Sequence, residues 1–326
     1  MNNVLTWLLE SDEPWTRYRT LLDLLGRSET DAEVQAARAA MLAHPQVQGL
    51  ITEAMTWGQR PFKRHNDAGY PIYKFSTLAD FGVRATDPGM QPLLEMVLAH
   101  QSADGVTQSL LNIPKAFGGT NEDIWTWAVC DAPTLLYALL AFGMGEDPRV
   151  KTGVAHLAGT VSDNGWRCVT DSGLGKFRGP GRKDDPCPIA NVYMLKMLAT
   201  APDMGESPAA RAGVEMLLEH WGRRGEWRPY LFGVGSDFGK LKYPCVWYDI
   251  LHVTDVLSRF PFAREDARFR EMAQRVAAQA GDQGRYTATS MYRTWAGWSF
   301  SDKKQPSPWL TFLALRMLSR SGPSSG

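Results

Sequence analysis

Four short stretches of the sequence bring together carboxylates, thiols and imidazoles, the side chains that most often carry catalysis or bind metals. Each stretch precedes or opens a short apolar segment that we predict to be a helix. Helices that run parallel bring their starts to one end of a domain, where their N-termini also favour anionic groups. We therefore predict one site at this end. The candidate catalytic residues are His65, Asp131, Asp185, Asp249 and His252.

Zinc binding is one use of these side chains. Thiolate, carboxylate and imidazole ligands with one open position are the usual arrangement of catalytic zinc, which activates a bound water or thiol. The predicted ligands are Asp185, Cys187, Cys245 and His252. If a helix begins at Pro244, Cys245, Asp249 and His252 share one of its faces, and a carboxylate beside His252 suits a general base. The alternatives are that the aspartates only cap helices and that the cysteines are small buried hydrophobes.

A basic, glycine-rich loop is the best local candidate for binding an anion. Its cations are Lys176, Arg178, Arg182 and Lys183, and a second basic stretch is Lys63-Arg64-His65. Together they could hold a diphosphate or carboxylate by charge-assisted hydrogen bonds, with Arg64 as a further ligand. The alternative is a loop that is simply solvated.

Twelve tryptophans stand mostly at predicted turns and helix starts. Aromatic faces can stabilise a cation or stack on a sugar ring. We predict that Trp125, Trp247 and Trp309 line the site, and that Trp166 and Trp227 are structural.

The elements that must position these residues repeat along the chain. Proline opens a short apolar segment six times, at intervals of 55 to 64 residues: Pro14, Pro71, Pro133, Pro188, Pro244 and Pro308. Proline is favoured at the first turn of a helix, because its missing N–H would be unpaired there. Amphipathic segments lie between them, at 91–100, 147–158, 208–221 and 264–280. This pattern predicts an all-α, (α/α)6 toroid of six helical hairpins, with inner helices starting at one mouth and no substantial sheet. We expect one domain over residues 1–320 and an added tail at 321–326.

Several of these repeats resemble a known superfamily. The helix ends Gln101-Ser-Ala-Asp-Gly-Val106 and Ser162-Asp-Asn-Gly-Trp166, and the start Cys130-Asp-Ala-Pro-Thr-Leu-Leu-Tyr137, are similar to repeats of terpenoid cyclases and protein prenyltransferases, the squalene-cyclase-like α/α toroids. The resemblance covers most of residues 10–320.

The resemblance implies specific roles for a few residues. Asp185 and Cys187 match the Asp-x-Cys pair that binds zinc in the prenyltransferase β-subunit, after a similar basic loop. The third ligand of that family is a histidine at the start of a later helix, where this chain has Cys245, with His252 two turns further on. Arg182 stands where class II cyclases have the first acid of Asp-x-Asp-Asp, and no Asp-Asp-x-x-Asp motif is present. Neither classical terpene cyclase mechanism is therefore expected.

The charge balance and hydropathy of the sequence limit the classes of partner that we expect. Lys plus Arg and Asp plus Glu are both 35, so no global field attracts nucleic acid. No apolar run reaches the roughly 18 to 20 residues of a membrane span, and the N-terminus lacks a secretory signal. We expect a cytoplasmic protein with a small-molecule substrate, and the oligomeric state stays open.

Three functions remain open. The first is a transferase or cyclase-like enzyme acting on an apolar substrate with an anionic, diphosphate-like head, which predicts a deep, aromatic-walled cavity. The second is a carbohydrate-active hydrolase or lyase using Asp131 with Asp185 or Asp249, which predicts an open polar cleft. The third is a non-catalytic binding module with a shallow mouth and no ionisable group of shifted pKa.

Overall fold

The protein is built almost entirely from α-helices. A computed structural model describes residues 3–64, 66–177, 181–182 and 184–322, and this part of the chain forms fourteen α-helices. In chain order these are α1 Asn3–Leu9, α2 Pro14–Arg19, α3 Ala32–Ala43, α4 Pro45–Ala54, α5 Ile72–Phe81, α6 Met90–Leu98, α7 Ala132–Leu139, α8 Pro148–Gly159, α9 Pro188–Leu198, α10 Pro208–Gly222, α11 Ile250–Leu257, α12 Pro261–Arg264, α13 Ala267–Ala277 and α14 Pro308–Ser321. None of them is both long and apolar enough to cross a membrane.

Strand structure is minor. The strands β1, Ser109–Leu111, and β2, Ile124–Thr126, pair antiparallel with Leu110 opposite Trp125. Short 3-10 turns and π-helical turns extend or connect the helices, such as the π turns Thr20–Leu24 after α2 and Leu140–Met144 after α7. The predictions of an all-α class and of no substantial sheet are therefore confirmed for the described residues.

The chain divides into two compact units. The central unit comprises Leu50–Gly235 and Val246–Tyr248. The terminal unit is discontinuous and comprises Met1–Gly49, Ser236–Cys245 and Asp249–Gly326. The single domain predicted over residues 1–320 stays a prediction.

In the central unit, α5, α7 and α9 lie side by side, and α8 and α10 pack against them. Every residue of α5, α7 and α9 is buried, whereas α8 and α10 keep exposed polar faces. Proline stands in the first turn of α7 and α9, as predicted. The alternation of buried inner helices with amphipathic outer ones follows directly from these sequences.

The terminal unit repeats this arrangement with other helices. Its inner helices α2, α11 and α14 are in contact through α14, while α3 and α13 pack outside α2 and α11. In α13 the buried residues Phe269, Met272, Ala273 and Val276 follow a helical three-and-four spacing, which gives one apolar face.

One predicted helix start is wrong. The fifth inner helix begins at Ile250 and not at Pro244, which follows Tyr243 through a cis peptide bond. Asp249 is its N-cap, with extended backbone and a side chain that accepts a 3.0 Å hydrogen bond from the His252 N–H. A capping aspartate marks a helix start because its side chain accepts one of the backbone N–H groups that the first turn leaves unpaired. Cys245 and Asp249 therefore precede the helix, and the single helical face predicted for Cys245, Asp249 and His252 does not exist.

Candidate functional site

The starts of α5, α7 and α9 bring several polar side chains together in the central unit. We call Tyr70, Tyr73, Cys130, Asp131, Cys168, Cys187 and Tyr230 the helix-start cluster. Burial raises the pKa of both Tyr70 and Tyr73, and the nearby carboxylates of Asp131 and Asp67 raise each further. Burial also raises the pKa of Tyr230, and the nearby thiols of Cys168 and Cys187 contribute to this rise. The predicted convergence of polar helix starts is thus present among these three helices.

Asp131 is the most unusual member of this cluster. Its side chain is buried, and Oδ1 accepts a 2.7 Å hydrogen bond from the Ala128 N–H. It makes no side-chain capping bond to α7, although it holds the N-cap position. Oδ2 has no hydrogen-bond partner, and the nearby Ser109 hydroxyl lies outside hydrogen-bonding geometry. Burial raises the pKa of Asp131 to about 7.

The three cysteines of the cluster lie on neighbouring backbone segments. The Val129 N–H donates to the Val169 carbonyl at 3.0 Å, which sets Cys130 close to Cys168, and the Cys187 N–H donates to the Trp166 carbonyl at 2.7 Å. Burial raises the pKa of all three thiols, to about 11 for Cys187. Since the thiolate is the reactive form, these neutral thiols are poor nucleophiles.

The predicted zinc ligands do not fit a metal site. Within residues 3–64, 66–177, 181–182 and 184–322, no three His, Cys, Asp or Glu side chains are arranged to hold a metal ion. Cys187 is buried at the N-cap position of α9, where its side chain makes no capping hydrogen bond. Cys245 lies outside the helix that was to position it. We therefore derive no step through zinc.

A cationic cleft of about 650 Å³ lies beside the cluster. It is lined by Arg60, Pro61, Lys63, Arg64, Asn66 and Asp67. The Arg60 guanidinium binds the Asp67 carboxylate, with 2.7 Å between Nη1 and Oδ2, and lies 5.2 Å from the centre of the Tyr70 ring. Tyr70 thus connects the cleft to Asp131. The structure places Arg64 in this cleft, whereas His65 lies outside the described residues.

The basic loop is described only in part. Lys176 and Arg182 are exposed, while Arg178 and Lys183 lie outside the described residues. The Asp185 carboxylate accepts a 3.3 Å bond from the Arg182 N–H, and Asp184 pairs with Arg167 at 2.9 Å. Asp185 is therefore tied to the loop itself, and its catalytic role stays a prediction.

Gly181 of the same loop packs on Tyr230. A Cβ at Gly181 would lie 2.7 Å from the Tyr230 ring, so only glycine allows this approach. Tyr230 has φ of 52°, a left-handed conformation that is rare for a bulky residue, and its hydroxyl accepts a 3.4 Å bond from the Cys168 N–H. No sequence signal distinguished Tyr230. A sequence signal does mark Arg60, because the stretch Arg60-Pro-Phe-Lys-Arg64 holds three cations in five residues.

Asp249 and His252 lie in the terminal unit, and both are buried. Burial raises the pKa of Asp249 to about 7, while nearby Lys242 opposes the shift. Oδ1 caps α11 and Oδ2 has no hydrogen-bond partner. Capping and an unsatisfied oxygen therefore coexist in this residue. The pairing of Asp131 with Asp249 stays a prediction, as does the role of His252.

The tryptophans divide into core and half-buried groups. Trp309 is wholly buried, with its ring 5.0 Å from Phe312 and 5.7 Å from Tyr243, which makes it a core residue and not a lining one. Trp166 is also buried and donates its indole N–H to the Leu157 carbonyl, the structural role predicted for it. Trp125 is half-buried and stacks on His100 at 3.5 Å, and Trp247 is half-buried against Phe232.

Comparisons with known proteins identify structural relatives only. The sequence matches no protein-family profile and no curated protein. A solved protein from Actinoplanes is 16% identical, covering 95% of this chain and 90% of its own, with a TM-score of 0.44. The unsaturated glucuronyl hydrolase from Bacillus sp. GL1, responsible for the degradation of glycosaminoglycan, is 14% identical. The match covers 94% of this chain and 84% of the hydrolase, with a TM-score of 0.46. A structure described as UGL_D88N with dGlcA-Glc-Rha-Glc is 15% identical, covering 94% of this chain and 84% of its own, with a TM-score of 0.47. The squalene-cyclase-like resemblance is not confirmed.

Proposed function

We propose that the central unit carries the active site of a carbohydrate-active hydrolase or lyase that acts on an acidic saccharide. The observation that carries this proposal is the buried carboxyl of Asp131, which has one unpartnered oxygen and adjoins, through Tyr70, a cationic cleft.

Asp131 is the proposed general acid. A general acid must hold its proton near the working pH, and burial achieves this for a carboxyl by disfavouring the charged form. With a pKa of about 7, a large share of Asp131 is protonated at neutral pH. Its unpartnered Oδ2 is the oxygen left to carry and donate that proton. Tyr70 interacts electrostatically with Asp131 and with the cleft residues Arg60 and Asp67, so these groups lie close to one another.

Asp67 is the proposed second carboxylate. It lines the cleft, and its carboxylate is paired with the Arg60 guanidinium. Cleavage of a glycosidic bond ordinarily uses one protonated and one ionised carboxyl group on opposite sides of the bond. Asp131 and Asp67 have the two different environments that such a division of roles requires.

The cleft cations are the proposed ligands of the substrate's carboxylate. Arg60, Lys63 and Arg64 all line it, and guanidinium groups bind carboxylates with two parallel hydrogen bonds. A diphosphate would also be attracted by these charges. However, the lining side chains are polar or charged apart from Pro61, which suits a hydrated sugar better than an isoprenoid tail.

The test is turnover of a panel of oligosaccharides ending in glucuronic or unsaturated uronic acid, with neutral oligosaccharides and prenyl diphosphates as comparison substrates. We expect cleavage of the acidic sugars only, and a loss of about 100-fold or more in kcat for Asp131→Asn, the usual contribution of a general acid.

The matched control is Asp184→Asn, since Asp184 is an exposed carboxylate of the same unit and is paired with Arg167. It should keep wild-type turnover. Near-UV circular dichroism of each variant establishes that it is folded. Turnover of acidic sugars by folded Asp131→Asn at the wild-type rate contradicts the assignment of Asp131, and turnover of prenyl diphosphates alone contradicts the proposed class.

A further inference from the structure

Four buried hydroxyl groups of the central unit take no part in the proposed function. Their residues belong to β1, β2, α7 and the segment before β1, and none is more than 4% exposed: Thr107, Ser109, Thr126 and Thr134. Within the part of the chain that the structure describes, none of the four oxygens has a hydrogen-bond partner. Buried polar groups in folded proteins are nearly always paired, so these oxygens require a physical explanation.

The pairing of the two strands brings one of these hydroxyls to Asp131. Ser109 of β1 stands directly opposite Thr126 of β2, so the two side chains lie on the same face of the sheet, and both are buried. Two residues after Thr126, the Ala128 N–H donates its 2.7 Å hydrogen bond to Asp131 Oδ1. The Ser109 hydroxyl thus lies next to the Asp131 carboxyl and interacts with it.

The Asp131 side chain is turned away from the helix that it precedes. An aspartate at an N-cap position usually accepts a hydrogen bond from the second or third N–H of its helix. Asp131 makes no such bond to α7, and its Oδ1 is bound to the Ala128 N–H instead. Its Oδ2 and the Ser109 hydroxyl are therefore neighbouring buried groups, and the described residues supply no hydrogen-bond partner to either.

The protonation state of Asp131 decides whether these two groups need each other. When a glycosidic oxygen takes the proton, the O–H bond of Asp131 breaks, an O–H bond forms on the leaving group, and the electron pair stays on Oδ2 as a buried negative charge. A serine hydroxyl can donate to such an oxygen, and rotation about χ1 moves its Oγ among three staggered positions. A donated hydrogen bond stabilises the ionised carboxyl and opposes the effect of burial.

We propose that Ser109 is a positioning residue: its hydroxyl donates a hydrogen bond to Asp131 Oδ2 once the carboxyl has given up its proton. The catalytic part of this inference rests on the proposed function of Asp131 as a general acid. The hydrogen bond itself depends only on the two neighbouring side chains, so it can be tested without a substrate.

Other ionisable groups lie near Asp131 and must stay constant in such a test. They are Tyr70, Tyr73, Cys130, Asp67 and Arg60. Burial raises the pKa of the two phenols and of the thiol, so these three stay neutral at pH 7. The carboxylate and the guanidinium are paired with each other. A substitution at Ser109 alters none of them directly, so a change in the ionisation of Asp131 reports on the missing hydroxyl.

The first experiment follows the Asp131 carboxyl by carbon-13 NMR from pH 4 to pH 10, with Asp131→Asn to assign its signal. Ser109→Ala should raise the pKa of Asp131 by about one unit, a tenfold change in its ionisation constant, because the ionised form loses its donor. Ser109→Thr, which keeps a hydroxyl, should stay near the wild-type value. Thr107→Val is the matched control, since it removes an equally buried hydroxyl of the same segment, and it should leave the pKa of Asp131 unchanged.

The second experiment measures the pH dependence of kcat on an acidic saccharide that the wild type cleaves. The fall of kcat at high pH should begin about one unit higher in Ser109→Ala, since this limb reports the ionisation of the general acid in the bound complex. A purely structural role of Ser109 would lower kcat at every pH without moving the limb.

The proposal is overturned if Ser109→Ala leaves the pKa of Asp131 unchanged, if Thr107→Val raises it as much, or if the limb of kcat does not move. A raised pKa in a protein that cleaves no acidic saccharide supports the hydrogen bond and contradicts the proposed function instead. An unchanged pKa in a protein whose turnover depends on Asp131 contradicts the role of Ser109 alone.

Discussion

Buried aspartates occupy two kinds of position on the inner helices, and they behave in opposite ways. Asp131 and Asp249 lie at helix starts, where each keeps one oxygen without a hydrogen-bond partner and burial raises the pKa to about 7. Asp80 and Asp255 lie inside helices and are paired with buried cations, Lys196 at 3.0 Å and Arg316 at 3.0 Å. The pKa of Asp255 is held well below its usual range by the surrounding guanidiniums, against the effect of burial.

The difference distinguishes carboxylates that stabilise the fold from carboxyl groups that are available for proton transfer. A buried carboxylate with cations around it is fixed in the ionised state and holds helices together. A buried carboxyl with no cation in contact can take up and release a proton near neutral pH. Both kinds occur in both units, which indicates that the helix-start position and not the unit determines the behaviour.

The largest effect should come from breaking an interior pair. Asp80 accepts hydrogen bonds from the Lys196 ammonium and the Tyr137 hydroxyl, and all three side chains are buried. Asp80→Asn leaves the Lys196 charge without its carboxylate, so we expect a loss of about 3–5 kcal/mol in the free energy of unfolding, measured by urea denaturation. Asp266→Asn, at a half-buried surface pair with Arg268, should cost at most about 1 kcal/mol. Equal losses in the two variants would remove the distinction between interior and surface pairs.

The helix-start aspartates should make stability fall as pH rises. The folded pKa of Asp131, about 7, lies above the unfolded value of about 3.9, so the folded state binds the proton more tightly. The resulting stabilisation is complete below about pH 4 and is lost between pH 4 and 7, on the order of 2–4 kcal/mol for one such group. Asp131→Asn should remove this part of the slope, as should Asp249→Asn for its own group. Urea denaturation at pH 4, 5.5 and 7 checks the change in slope.

The contribution of Asp255 to the free energy of unfolding should depend on pH in the opposite direction. Its folded pKa is lowered, so its contribution is present above the unfolded value of about 3.9 and is lost as pH falls below it. A wild-type protein whose stability changes in one direction only from pH 2 to pH 7 would contradict the contrast between the two positions.

A smaller effect should distinguish real caps from uncapped helix starts. Ser207 is the N-cap of α10, and its hydroxyl accepts a 3.1 Å hydrogen bond from the Ala210 N–H. Ser207→Ala should therefore cost about 1 kcal/mol in the free energy of unfolding. Asp131 makes no capping bond to α7, so Asp131→Asn should cost clearly less than this at pH 7. If Asp131→Asn is the more destabilising of the two, Asp131 supports the fold in a way that its hydrogen bonds do not show.

The sequence predicted the helices well because their signals are local. Proline at a first turn and apolar residues at helical spacing located α5, α7, α9 and α14. The start of α11 was misplaced because two local signals, Pro244 and Asp249, competed within six residues. Trp309 was misassigned because the sequence does not show which face of a helix start turns toward the core.

The candidate site was harder to predict because its contacts join distant residues. Asp67 and Asp131 both lie near Tyr73, which brings together residues that precede two different helices, α5 and α7. The pairing of Asp80 with Lys196 spans 116 residues, and neither residue stands in a recognisable motif. The left-handed Tyr230 depends on the loop packed against it, which no pattern of residue types reveals.

The discontinuity of the terminal unit has a consequence for protein synthesis. The first 49 residues belong to the same unit as residues 249–326, and α1 and α2 pack against α14. The central unit is nearly continuous in sequence, so it can become compact while the ribosome is still adding residues to the chain. Helices α1 and α2 precede the central unit in the chain but gain their contacts with α14 only after that unit has been made. During translation, the surfaces of α1 and α2 that contact α14 stay uncovered until α14 has been made, which exposes them to chaperones in the meantime.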